Sequence, residues 1–139
     1  MLLRRRVFER AGMFSEDFFM YAEDLDLNYK VKALGLANYY VSDAKIIHYG
    51  GKSSSRQTVS QWATMMKHRS MLHLFSKTHG RFYGVLYRIA IGSSAIGRLL
   101  VLVLVFPFGD RGSIRLAAEK WTAVLRWSVG LHVVALGDR

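Results

Sequence analysis

Phe18-Phe19-Met20-Tyr21-Ala22-Glu23-Asp24-Leu25-Asp26-Leu27 sets three carboxylates within four residues, directly behind a block of large apolar side chains. Carboxylates against an aromatic wall are costly to bury unless they are paired, hold a metal or take part in chemistry. From Glu23 onward the apolar residues recur as Leu27, Val31 and Leu34. That spacing predicts a helix to about Leu34, stopped by Gly35. Its first turn holds Glu23, Asp24 and Asp26, where the helix dipole favours negative charge. By residue chemistry alone the cluster reads either as a solvated acidic helix start or as a site.

Outward from this stretch the pattern is mixed. Leu2 and Leu3 leading into Arg4 read as the end of a buried strand. Val7 to Ala11 reads as a short helix closed by Gly12, and Ser15 to Phe18 as a turn. Asn38 to Val41 and Lys45 to Tyr49 read as short strands around Ser42-Asp43. Gly50-Gly51-Lys52-Ser53-Ser54-Ser55 is a polar, flexible loop sequence. A long helix is expected from about Val59 to Thr78, with Trp62, Met65, Met66, Arg69 and Leu72 along one side and Gly80 at its end.

The 139 residues suffice for one domain with a moderate core. There is no cysteine, which excludes disulfide and thiolate chemistry. The net charge of +10 is unevenly placed. Residues 1–52 hold eight basic and seven acidic side chains, whereas residues 53–139 hold twelve and three. The second part is also strongly apolar: residues 85–108 carry only Arg88 and Arg98 as charges, before Pro107 and Gly109 break the run. A bilayer span needs about twenty apolar residues. Arg98 lies near the middle of any such span, at a cost of roughly 2.5–3.5 kcal/mol. A last helix is expected over Ile114 to Leu136. Both segments read as interfacial rather than spanning, with a pair of buried core helices as the plainer alternative.

The pattern Arg5-Arg6-x-Phe8-Glu9-x-x-Gly12-x-Phe14-Ser15-Glu16-x-Phe18-Phe19-Met20-Tyr21-x-Glu23-Asp24-x-Asp26-Leu27 resembles family 2 glycosyltransferases, and most of all their rhamnosyltransferase-like branch. The likeness continues through Lys30, Gly35, Tyr40, Ala44, His48, Gly50-Gly51 and Ser53, and thins beyond residue 56. The resemblance implies an α/β fold: residues 1–56 as the acceptor-side part of a GT-A domain, followed by a basic, membrane-associated helical region over 57–139. It implies transfer of a sugar with inversion, from a nucleotide-sugar donor to a glycan or lipid-linked acceptor, in cell-surface polysaccharide synthesis.

Inverting transfer needs a base for the attacking hydroxyl. By resemblance that base is Asp24, with Glu23 holding an acceptor hydroxyl and Asp26 either contacting substrate or only capping the helix. Phe19 and Tyr21 would line the acceptor pocket, unless they are core. The resemblance makes His48 a ligand of a manganese or magnesium ion on the donor diphosphate. Gly50, Gly51, Lys52 and Ser53 would form a loop near that diphosphate; an ordinary surface turn is the alternative.

Two departures stand out. Lys30 occupies a position where the family usually has arginine, losing a bidentate grip on a carboxylate. The family's nucleotide-binding segment and Asp-x-Asp motif have no counterpart ahead of Arg4, so the chain is expected to be a C-terminal portion with little activity alone. The basic, apolar second part suits an anionic membrane surface, at the cytoplasmic face of a bacterial membrane, better than nucleic acid. The competing class is a small, basic, non-catalytic membrane-surface protein.

Overall fold

Helix is the only regular structure among the described residues, which are 1–47, 57–107 and 109–131 of this computed structural model, with the backbone alone for 57–60. In chain order these are α1 (Arg5–Arg10), α2 (Glu23–Ala33), α3 (Gln57–His79), α4 (Arg81–Val105) and α5 (Arg111–Ser128). The chain divides into two compact units, Met1–Leu74 and Phe75–Arg139.

The α/β expectation, a partial GT-A sheet, is overturned: no strand forms among the described residues. Leu2 is wholly exposed rather than part of a buried strand. Residues 38–41 and 45–47 are irregular, and Tyr39, Tyr40, Ile46 and Ile47 are all at least 84% exposed. The turn between them closes loosely, Ala44 N–H donating to the Val41 carbonyl at 3.3 Å. The physical reason is pairing. β-branched and aromatic residues favour a strand only when a neighbour accepts their N–H and C=O groups, and a lone two-stranded ribbon is marginal in water. Local propensity pointed to strands here; no partner strand meets them among the described residues, and His48 and Tyr49 of the second expected strand lie outside those.

In the first unit, Arg5 and Glu9 pair along α1 at 2.9 Å, fully in solvent. Gly12 at φ 77° and Met13 at φ 55° then reverse the chain, so that Phe14 packs edge-on against Phe8 with ring centroids 5.4 Å apart. The αL turn was legible because glycine enters that region without a Cβ penalty. Helix α2 buries Leu27 and Val31 and ends at Gly35, φ 75°, as its spacing predicted. Asn38 ties the following segment back through its side-chain amide to the Asn28 carbonyl, 3.2 Å. On α3 the buried residues of this unit are Ser70 and Leu74, whereas Arg69 lies exposed. The inward face is therefore not the row read from Trp62 to Leu72. A small side chain at position 70 lets the helix approach the loop that it covers.

In the second unit, α4 and α5 form an antiparallel hairpin: Gly92 meets Ser128 while Arg98 meets Trp121. A Cβ on Gly92 would come within 2.8 Å of Ser128 Oγ, so the glycine sets the closest approach of the two helices. Ala95 and Val124 are fully buried beside it. Asp110 starts α5, its carboxylate accepting from Ser113 N–H at 2.8 Å. These Ser113 hydrogen bonds hold the Asp110 carboxyl below its ordinary 3.8. Gly130, φ 84°, ends the helix earlier than the expected Leu136, and residues 132–136 lie outside the described residues. Burial pushes the Tyr87 hydroxyl, packed against Phe75 at 5.2 Å, up to about 12.

Gly92→Val is expected to lower the unfolding free energy by about 1–3 kcal/mol, the usual range for overpacking, read by urea denaturation. Because the Asp110 carboxyl is depressed, its cap stabilises above the ordinary carboxylate range and is lost as pH falls through the folded value. The hydrogen-exchange protection of the Ser113 amide should therefore fall in acid, and Asp110→Ala should abolish that pH dependence.

Candidate functional site

Two non-glycine residues in succession, Tyr21 and Ala22, adopt the left-handed region at φ 66° just before α2. Each such residue costs of the order of 1 kcal/mol or more and persists only where its surroundings hold it. The holders are visible. Phe18, Ala22 and Leu74 form a buried cluster with Met71 packed against it. Ser70 on α3 donates to the Met20 carbonyl at 2.6 Å. His73 stacks edge-on against Phe18, ring centroids 5.1 Å apart, with its Nε2 4.0 Å from Asp17. Helix α3 thus clamps the loop 17–22 from one side.

This turn starts α2 without a side-chain cap: Ala22 stands at the N-cap. The first turn carries Glu23, Asp24 and Asp26, negative charge that the helix dipole favours there. The three carboxylates then separate into different environments. Asp26 is 1% exposed; it accepts from Ser15 Oγ at 2.5 Å and pairs with Lys30 Nζ at 3.2 Å. Lys30 also donates to Ser15 Oγ at 2.6 Å and to the Met13 carbonyl at 3.2 Å. Asp26 is therefore occupied inside the fold, joining α2 to the turn after α1. Asp24 is exposed and accepts only a local bond from Leu25 N–H at 2.9 Å among its described contacts. Glu23 is the unusual one: its Oε2 is buried with no hydrogen-bond partner among the described residues. An unsatisfied buried carboxylate oxygen is expensive, and among the described residues nothing answers it.

Of the other anticipated residues, Phe19 is 80% exposed, and Tyr21 is half-buried at the strained turn. His48, Gly50, Gly51, Lys52 and Ser53 lie outside the described residues. No group of three or more His, Asp or Glu side chains comes together as a cation site among the described residues.

Sequence reading missed Ser15, Ser70 and His73. The Asp26–Lys30 spacing of four residues was a readable signal for the pair. Ser70 and His73 carried none, because their role depends on where α3 returns, some 50 residues later.

Comparison with known proteins bears on this site. Two curated sequences, N-acetylglucosaminyl-diphospho-decaprenol L-rhamnosyltransferases of Mycobacterium tuberculosis strains CDC 1551 / Oshkosh and ATCC 25618 / H37Rv, are each 31% identical over 83 residues. The match takes in 60% of this chain and 26% of theirs, so the chain spans about a quarter of the length of the curated relatives it matches. The chain is a distant relative of a glycosyltransferase. No family model matches it, and no solved structure does.

The contrast between the carboxylates is testable by stability. Lys30→Met, which strands the buried Asp26 charge, should cost about 2–4 kcal/mol, near the range for breaking a buried pair. Asp24→Asn should stay within about 0.5 kcal/mol of the parent, as for a surface change. Chemical denaturation of both variants reads the difference.

Proposed function

We propose that this chain carries the acceptor-binding and proton-accepting part of a sugar transferase. The observation that carries the reading is Glu23 Oε2, buried and without a partner among the described residues, next in sequence to the exposed Asp24 and just after a strained turn. A sugar hydroxyl satisfies such an oxygen by donating to it. The same donor geometry brings a second hydroxyl, or the same one in a later pose, toward Asp24. The likeness to the mycobacterial enzymes, named for rhamnosyl transfer to N-acetylglucosaminyl-diphospho-decaprenol, supports the same class of chemistry.

In this reading the acceptor O–H gives its proton to Asp24 as the oxygen attacks the anomeric carbon of the donor. The bond from that carbon to the nucleotide diphosphate breaks, and the diphosphate leaves with the electron pair. Attack from the face opposite the leaving group inverts the anomeric centre. Glu23 orients the acceptor, which converts a collision into a positioned reaction. The exposed Phe19 ring offers an apolar face to the sugar. Asp26 acts through the fold: it anchors the first turn of α2, from which Glu23 and Asp24 project. A divalent ion with His48, and the Gly50-Gly51-Lys52-Ser53 loop at the donor diphosphate, belong to this reading through the family resemblance alone.

The test is a chimera in which the matching region of the mycobacterial rhamnosyltransferase is replaced by that of this chain. Rhamnosyl transfer to the lipid-linked acceptor is the expected result. Asp24→Asn in the chimera should lower kcat by about 10²–10⁴-fold, the usual worth of a general base. Glu23→Gln should mainly raise the KM for the acceptor. Transfer undiminished by Asp24→Asn would remove Asp24 from the role of base.

A further inference from the structure

Helix α4 is long and apolar enough to cross a bilayer by length and composition, yet little of it is buried. Its exposed side is continuous. Phe82, Val85, Ile89, Ile96, Leu100 and Val103 recur at steps of three, four and, from Ile89 to Ile96, seven residues, each at least 49% exposed. At 100° per residue they share one arc along the helix. No charge falls on that arc. Arg88 and Arg98 lie off that arc, each over an indole of α5: Arg88 Cζ is 5.3 Å from the centroid of Trp127, and Arg98 Cζ, which stays exposed, 4.3 Å from that of Trp121. Cation–π stacking of this kind removes the objection that an arginine in this run must break its apolar surface.

The arc continues onto the neighbouring helix. A shallow groove lined by Val85, Ile89 and Ile96, with Arg88 and Ser93 also at its wall, is closed by Leu125 and Val129 on the other side. Beyond it, α5 is polar along Arg115, Glu119, Thr122 and Arg126. The hairpin thus has an apolar side and a basic side. From Phe75 to Leu131 it carries eight basic side chains against two acidic ones. An apolar protein partner would be served by the arc but not by the charge excess; an anionic lipid surface is served by both.

We propose that the α4–α5 hairpin lies in the plane of an anionic bilayer interface, with the α4 arc in the acyl boundary and the arginines and lysines at the headgroups. A transverse placement of α4 is disfavoured by its partner. With α5 packed antiparallel along it, crossing would draw Arg115, Lys120 and Arg126 into hydrocarbon, each at a cost of about a hundredfold in partition. Lying flat avoids that cost and places Trp121 and Trp127 at the level that indoles favour. The inference stands on the second unit alone and is independent of the transferase reading.

The experiment uses the purified full chain and vesicles of phosphatidylcholine, with and without 30% phosphatidylglycerol (roughly the anionic content of a bacterial leaflet). Flotation should show binding at least about tenfold stronger with the anionic lipid, weakened by half-molar salt. Ile89→Gln with Leu100→Gln, both on the exposed arc and neither altering charge, should lower partition about tenfold or more. Thr122→Gln on the polar side of α5 should leave it unchanged. Brominated lipids, in a Trp62→Phe background, should quench Trp121 and Trp127 best from shallow positions. Equal binding of the double variant and the parent would overturn the proposal. So would strongest quenching from the bilayer centre, which means a spanning α4. A lipid-free dimer that the double variant dissolves would assign the arc to a second copy of the chain instead.

Discussion

A carboxylate taken out of water must be answered at once, and in this chain Asp26 is answered by Lys30 and Ser15. Much of the first unit follows from that. The pair lies within α2, four residues apart, and so supports the helix; Ser15 and the Met13 carbonyl bring the preceding turn onto the same ammonium group. The turn after α1 and the start of α2 are thereby one structure. Buried ion pairs are weak evidence for stability in general, because desolvation cancels much of the attraction. Their value is specificity, and here the specific outcome is the direction in which Glu23 and Asp24 leave the helix.

Those two residues differ from Asp26 for a reason that lies upstream. Tyr21 and Ala22 hold a backbone conformation that non-glycine residues rarely adopt, and α3 holds them there through Ser70, Leu74 and His73. Strain held in place by packing beside an unsatisfied carboxylate oxygen is an arrangement that a ligand relieves. The ligand proposed for it is a sugar acceptor. The site is thus a loop pinned between a helix that begins with it and a helix that returns to it.

The second unit obeys a different constraint. Its helices approach closely where Gly92 faces Ser128, and along that seam Arg88 and Arg98 of α4 lie over tryptophans of α5. What remains outward on α4 is an apolar side without charge, next to a helix whose outer side is polar and basic. The charge asymmetry along the chain is in this way converted into a charge asymmetry across a hairpin.

Periodicity and glycine placement were enough to read α1, α2 and α3 with their approximate ends, because helices depend on contacts within a few residues and glycine at Gly12, Gly35 and Gly80 does what few other residues can; for α4 only the apolar run over 85–108 was read. The acidic motif itself was also legible, as was the unequal charge of the two halves. The strands were misread, since β-propensity at Tyr39, Tyr40, Ile46 and Ile47 is a preference for pairing and the pairing partner is a tertiary matter. The carboxylates divided only in three dimensions. Nothing local distinguishes Asp24 from Asp26, yet one is exposed and the other closed over by Ser15 and Lys30. Sequence by itself determined where the helices run and which residue types stand at the candidate site. Tertiary structure decided which carboxylate is structural, which is available and which is left wanting a partner, because desolvation and hydrogen bonding are set by neighbours that arrive from elsewhere in the chain.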